Sequence, residues 1–250
     1  MQPPFHRGDI LQVTDILFFV NLISRTNNMK KLFLIIILFV VGCSTDKEII
    51  CTDAELGVNC QGAEYIQNSE SPYVLPWEIG ETFVMGQLNC SSYSHSRDSY
   101  SQFAYDIPMP IGTNIVAVQS GKVVGLAENF EDVLDGVVDR GLIDKANYIN
   151  IEHSDGTRAS YVHLTKNGAL KSIGDNVIQG EVIALSGNSG WSTRPHLHFQ
   201  LNKCIDTDDR PNYTWIVCSS IPISFKNTSE HCFGLLGPDF KPNGYTAEPY

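Results

Sequence analysis

The stretch "RPHLHFQLN", Arg194 to Asn202, sets two histidines one residue apart inside an apolar run. In a strand, successive side chains point to opposite faces. His196, His198 and Gln200 then share one face, and Leu197, Phe199 and Leu201 share the other. The apolar set can bury itself in a core, which leaves both imidazoles outward or lining a groove. Their Cα atoms lie about 6.6 Å apart in such a strand, close enough for two rings to converge on one small centre. Imidazole is both a common metal ligand and a proton carrier near neutral pH, so the spacing allows a metal site, an acid–base pair, or both.

A catalytic zinc site takes three protein ligands and keeps a further position open. The chain offers seven histidines: His6, His95, His153, His163, His196, His198 and His231. His6 lies ahead of the apolar N-terminal segment discussed below. His153 abuts a turn and reads as exposed, and His231 falls next to Cys232 in the C-terminal segment. His163, in "SYVHL", ends a strand whose alternation groups it with Tyr161 and Ala159, opposite Val162 and Leu164. His95, in "SYSHSRD", precedes Asp106 by eleven residues. Asp106 stands among Phe103, Tyr105 and Ile107, where a carboxylate needs a metal or a cation, unless it caps a strand end before Pro108. No H-E-x-x-H segment exists, so the glutamate base of the common zinc proteases is absent.

The elements that must position these groups read as strands. "TNIVAVQSGKVVGLAE" holds two β-branched runs, Ile115–Val118 and Lys122–Leu126, around Ser120-Gly121. "NYINIEHSDGTRASYVHL" is a hairpin: alternation from Tyr148 to Ile151, a Ser154-Asp155-Gly156 turn, then Thr157 to Leu164. "DNVIQGEVIALSGNSG" adds a short strand, Val182–Leu185, between glycines. Only Phe130 to Lys145 looks helical, with Val133, Leu134, Val137 and Val138 near helical spacing. Short strands at regular intervals predict an all-β, mainly antiparallel sandwich or barrel with one short helical insertion.

Met29-Lys30-Lys31 opens a segment whose apolar run, Leu32 to Val41, is too short to span a bilayer and suits a signal peptide. Val40-Val41-Gly42-Cys43 resembles a bacterial lipobox, which makes Cys43 the acylated residue and new N-terminus. Residues 1–28 read as an over-long start, 29–42 as the signal, and 43–72 as a polar tether clipped by a Cys51–Cys60 loop. Ser44 after the cysteine fits sorting to the periplasmic face of the outer membrane. Cys51, Cys60, Cys90, Cys204, Cys218 and Cys232 remain, and an even number outside the cytosol favours disulfides. No C-x-x-C spacing supports a cysteine zinc site. The formal charge of -11 argues against nucleic acid and against electrostatic docking on anionic lipid.

Taken together, "HSRDSYSQFAYD…GT…GKV…IEHSDGTRASYVHL…GD…SGNSGWSTRPHLHF" resembles the lysostaphin-type (LytM-like) zinc metallopeptidases, which cut peptide cross-bridges in bacterial cell walls. The likeness runs from about Tyr73 to Leu201, and "IPISF", Ile221–Phe225, is similar to the family's closing strand. The resemblance implies a duplicated-hybrid-motif β-fold with an open groove, spanning 73–225 and followed by a tail, 226–250. It implies Zn2+ held by His95, Asp106 and His198, with His163 and His196 as catalytic groups that are not ligands. One departure is the eleven-residue step from His95 to Asp106, where the best-known members have four. Another is Arg194 before Pro195, which biases the groove toward an acidic group on the substrate.

The expectation is an exported, lipid-anchored zinc endopeptidase acting on peptidoglycan peptides, with a regulatory protein as a further possible partner. The alternative is a wall-binding or hydrolase-activating lipoprotein on the same fold. A phosphocarrier with two active-site histidines works in the cytosol, which the lipobox and the cysteines oppose.

Overall fold

A computed structural model of the chain describes residues 60, 62–204, 218–229, 234–239 and 241–250. They belong to a compact unit, Ile49–Tyr250. The lipobox with Cys43, and with it Cys51, His6, His231 and Cys232, lies outside the described residues.

Ten strands are found among the described residues: β1 Thr82–Phe83, β2 Tyr105–Pro108, β3 Asn114–Val116, β4 Gly121–Ala127, β5 Asn147–His153, β6 Thr157–Ala169, β7 Asn176–Val177, β8 Val182–Ser186, β9 His196–Lys203 and β10 Tyr245–Thr246. Eight form one antiparallel sheet along the path β2-β9-β6-β5-β4-β7, with β8 branching from β6 to pair β3, and β1 pairs β10 separately. The all-β antiparallel class expected from the sequence is what forms. The β5–β6 hairpin turns where expected, and Gly156 takes the left-handed φ of +80° that the turn requires.

Strand β9 alternates as read. Leu197, Phe199 and Leu201 are buried in the core, with the Phe199 ring tilted against Tyr161 at 5.4 Å and Phe225 at 6.1 Å. Its other face is also covered, and His196, His198, Gln200 and Asn202 are buried there as a polar row. A polar row out of water persists only if each group finds a partner.

Four expectations change. The segment 130–145 is an insertion whose helical content is one 3-10 turn, Arg140–Leu142, and Leu134 and Val138 are 79% and 64% exposed. Their near-helical spacing therefore makes no buried face. The insertion is held instead by Asp132, Val133 and Gly136 bonding to the 188–193 loop. The polar tether ends by Cys60, which is buried and bridged to Cys90 rather than to Cys51, with Cα atoms 5.1 Å apart. "IPISF" forms no strand: the bridge to Asn202 is made by Ser220 just before it, and Ile223 and Phe225 are buried. The segment after 225 is integral to the core: Leu235, Tyr245 and Ala247 are buried, and the Tyr105 hydroxyl accepts from Leu235 N at 3.1 Å.

Candidate metal centre and catalytic histidines

The register of one strand pair builds half of the site. Asp106 on β2 lies directly opposite His198 on β9, while its neighbours Tyr105 and Ile107 face Phe199 and Leu197. Residues opposite each other in an antiparallel pair share a face. The apolar residues flanking Asp106 thus belong to the core side, and the carboxylate belongs to the histidine side. Asp106 Oδ1 lies 2.8 Å from His198 Nδ1.

His95 arrives from outside the sheet, at the end of the 3-10 turn Tyr93–His95, and is fully buried. Its loop is fastened at Cys90 by the disulfide and at Gln87, whose backbone bridges to Asp106. The eleven-residue step to Asp106 is taken up by consecutive tight turns, Ser96–Ser99, Ser99–Gln102 and Ser101–Ala104. They fold the extra chain into a knot of turns and return it beside its start. His95 Nδ1 lies 3.1 Å from the Leu88 carbonyl, which only accepts, so Nδ1 carries the proton and Nε2 offers the lone pair. That Nε2 is 3.4 Å from Asp106 Oδ1 and 3.4 Å from His198 Nδ1.

His163 reaches the site by a bulge. Tyr148 pairs Val162 and Asn147 pairs Leu164, so His163 is the extra residue between two paired positions, with φ +64°. Strict alternation would send it into the core beside Tyr161. The bulge turns it to the histidine side, with ring centroids 4.6 Å from His196 and 6.0 Å from His198. A left-handed non-glycine residue costs about 1–2 kcal/mol and is tolerated where surrounding contacts over-determine it. Here Nδ1 donates to the Ser189 carbonyl at 2.7 Å. Ser189 is in turn fixed by its hydroxyl, which accepts from Asn147 N and donates to Leu164 O. His196 is set likewise, Nδ1 donating to the Arg194 carbonyl at 2.8 Å beside Ser192 Oγ, and Nε2 lies 3.7 Å from Asp106 Oδ1.

Burial, reinforced by His196 and His198 alongside, pushes His163 down to about 3, so its ring is neutral at physiological pH. Burial alone would raise the Asp106 carboxyl. The facing His196 and His95, with His198 against the same carboxylate, outweigh it and hold the group well below the usual carboxylate range. His153 is not exposed: it is 3% accessible, bonded to the Ser120 carbonyl at 3.1 Å and tilted against Tyr73, with burial lowering its pKa. The hairpin end is covered by the 73 and 120 segments, which the sequence pattern does not reveal. Arg158, one of the cations on the acidic chain, is engaged by Glu152 at 3.1 Å.

The donor set tests whether a metal fits. His95 Nε2, Asp106 Oδ1 and His198 Nδ1 are the sole group of metal-competent side chains found among the described residues. Their separations of 2.8, 3.4 and 3.4 Å allow all three to lie on a sphere of about 2.0–2.1 Å radius, the length zinc makes to nitrogen and oxygen. The His95 Nε2 lone pair and the Asp106 carboxylate, 3.4 Å apart, repel unless a cation lies between them. Two histidines and one carboxylate suit zinc. Sequence reasoning named all five residues but not their supports: the carbonyls of Leu88, Ser189 and Arg194 are backbone groups that no residue type reveals. "GNSG" reads as a strand boundary and as part of the family resemblance with no role given to its residues, although Asn188 and Ser189 there carry the wall behind His163.

Comparison with known proteins agrees with this geometry. Residues 101–211 match the family model of Peptidase family M23, a span that holds Asp106, His163, His196 and His198 and begins after His95. A protein named as an uncharacterized metalloprotease from Buchnera aphidicola subsp. Baizongia pistaciae is 32% identical over 130 residues, 52% of this chain and 30% of that protein. Lysostaphin from Staphylococcus simulans is 36% identical over 100 residues, 39% of this chain and 17% of its own length. The peptidoglycan DD-endopeptidase ShyA of Vibrio cholerae is 35% identical over 148 residues, 56% of this chain and 30% of its own. The chain thus spans less than a third of each of these relatives. With the strand register, the bulge and the histidine cluster on one face of the sheet, residues 101–211 are similar to a domain of peptidase family M23.

Proposed function

We propose that this chain is an exported, lipid-anchored zinc endopeptidase that hydrolyses peptide bonds in bacterial cell-wall peptidoglycan. The observation that carries the reading is the convergence of His95, Asp106 and His198 beside two further histidines whose Nδ1 protons are committed to backbone carbonyls. His95, Asp106 and His198 would hold the ion, and His163 and His196 would act as the catalytic groups next to it. Zinc bound there supplies a Lewis acid for the scissile carbonyl and lowers the pKa of water to about 7. With Nδ1 fixed on Ser189 and Arg194 carbonyls, His163 and His196 each turn Nε2 toward the cluster. His196 can there take a proton from water and, once charged, stabilise the oxyanion or donate to the leaving amine, while neutral His163 can accept a hydrogen bond from that water.

That ShyA is named a peptidoglycan DD-endopeptidase supports that substrate class. The test is digestion of purified peptidoglycan by the zinc-loaded protein, with new amino termini measured by mass spectrometry. Cleavage abolished in His196→Ala, with metal content unchanged, is the expected result. Metal retained with no cleavage by the unaltered protein would favour the wall-binding alternative. Anchoring through Cys43 is tested by fatty-acid labelling, which Cys43→Ala should abolish.

A further inference from the structure

Three histidines of the cluster have their tautomers set directly by the main chain: His95 by Leu88, His163 by Ser189 and His196 by Arg194, each through Nδ1. His198 is reversed. To offer Nδ1 to a metal it must carry its proton on Nε2, yet Nδ1 faces the Asp106 carboxylate at 2.8 Å, which only accepts and competes for that proton, and the group beside Nε2 is a side-chain amide, Gln200 Oε1 at 3.1 Å. An amide can present either end, so by itself Gln200 decides nothing.

The decision is made two residues further on. Asn202 Nδ2 lies 3.0 Å from the Arg158 carbonyl and 2.9 Å from Ser160 Oγ. A carbonyl only accepts, so the Asn202 amide nitrogen must face it, which turns Oδ1 toward Gln200. Gln200 Nε2 then donates to that oxygen at 2.5 Å, and its own Oε1 is left to face His198. His198, Gln200 and Asn202 occupy alternate positions on one face of β9, opposite Val162, Ser160 and Arg158 of β6. All three are buried, with Gln200 and Asn202 at 0% exposure, so water cannot substitute for a missing partner.

We propose that Gln200 and Asn202 are positioning residues that relay the polarity of the Arg158 carbonyl to His198, fixing its Nε2–H tautomer and presenting Nδ1 to the metal. Without the relay, the proton moves to Nδ1, where Asp106 Oδ1 accepts it and the ligand lone pair is lost. The polar row "HLHFQLN" thus has a reason for each polar member beyond filling space. The claim rests on the metal-site reading given above, but its primary readout does not use the metal.

Long-range 1H–15N correlation spectra of the metal-free protein report which nitrogen of His198 carries the proton. The expected result is Nε2–H in the unaltered protein. Gln200→Leu removes the acceptor and is expected to shift His198 to Nδ1–H and to weaken Zn2+ binding about 10–100-fold in chelator competition. Gln200→Glu retains an acceptor and should keep the Nε2–H tautomer and bind zinc within a few-fold of the original, even if less stable. A role in packing alone predicts the opposite order, since a buried leucine is better tolerated than a buried carboxylate. Nδ1–H in the unaltered protein overturns the relay without any variant having to fold. So does Gln200→Leu with tautomer and zinc affinity unchanged. If the unaltered protein shows Nε2–H yet binds no zinc, the functional reading fails and the relay stands.

Discussion

At His163 a single backbone torsion decides which face of the sheet a catalytic candidate joins. The residue type and its place in "SYVHL" are legible in the sequence, but the bulge that re-aims it is not, because nothing in one sequence marks a left-handed histidine. The same holds for His153, which looks like a turn residue and is buried by segments distant in the chain. Burial of His163 has a measurable consequence. Its pKa falls from 6.5 to about 3, so below pH 6.5 the unfolded chain binds a proton that the folded chain refuses. Stability present above pH 6.5 is therefore lost progressively as pH falls toward 3. In urea denaturation of the metal-free protein, His163→Asn is expected to lose about 2–3 kcal/mol less than the unaltered protein between pH 7 and 4.5. Equal losses would show that His163 is not neutral in the folded state.

Among the elements, β9 follows alternation, and its pairing with β2 puts Asp106 opposite His198 with no further device, whereas β6 breaks alternation at His163. The two loops that complete the site depend on closer fits. A Cβ on Gly187 would overlap the backbone of Leu164 and Thr165, next to the Asn188-Ser189 wall behind His163. Gly187→Ala should cost about 1–3 kcal/mol by thermal denaturation and lower activity with metal content kept. The loop of His95 depends on Cys60–Cys90, which closes 30 residues. Replacing both cysteines with serine should lower stability by about 3–4 kcal/mol and weaken zinc binding. Removing Cys204–Cys218, which holds no ligand loop, should lower stability and leave zinc affinity unchanged. The insertion at 130–145 shows why near-helical spacing misleads when only four residues carry it: 3-10 and turn hydrogen bonds to the 188–193 loop hold the segment in place of a buried apolar stripe.

Over the whole molecule, the polar composition after Phe225 hides how few apolar residues are needed to complete a core. Leu235, Tyr245 and Ala247 are buried there, and β10 pairs β1. Deleting residues 241–250 should therefore lower the melting temperature by several degrees, which a dispensable tail would not do. The chemistry was more legible than the boundaries, because histidine is rare enough for its spacing to carry information, whereas packing of a mixed polar segment leaves no pattern. The measurement that bears most directly on the account is zinc per folded chain after loading and gel filtration. One zinc per chain is expected for the unaltered protein and for His196→Ala, and none for His198→Ala. Zinc retained equally in His198→Ala, or absent from the unaltered protein, would contradict the assignment of the centre.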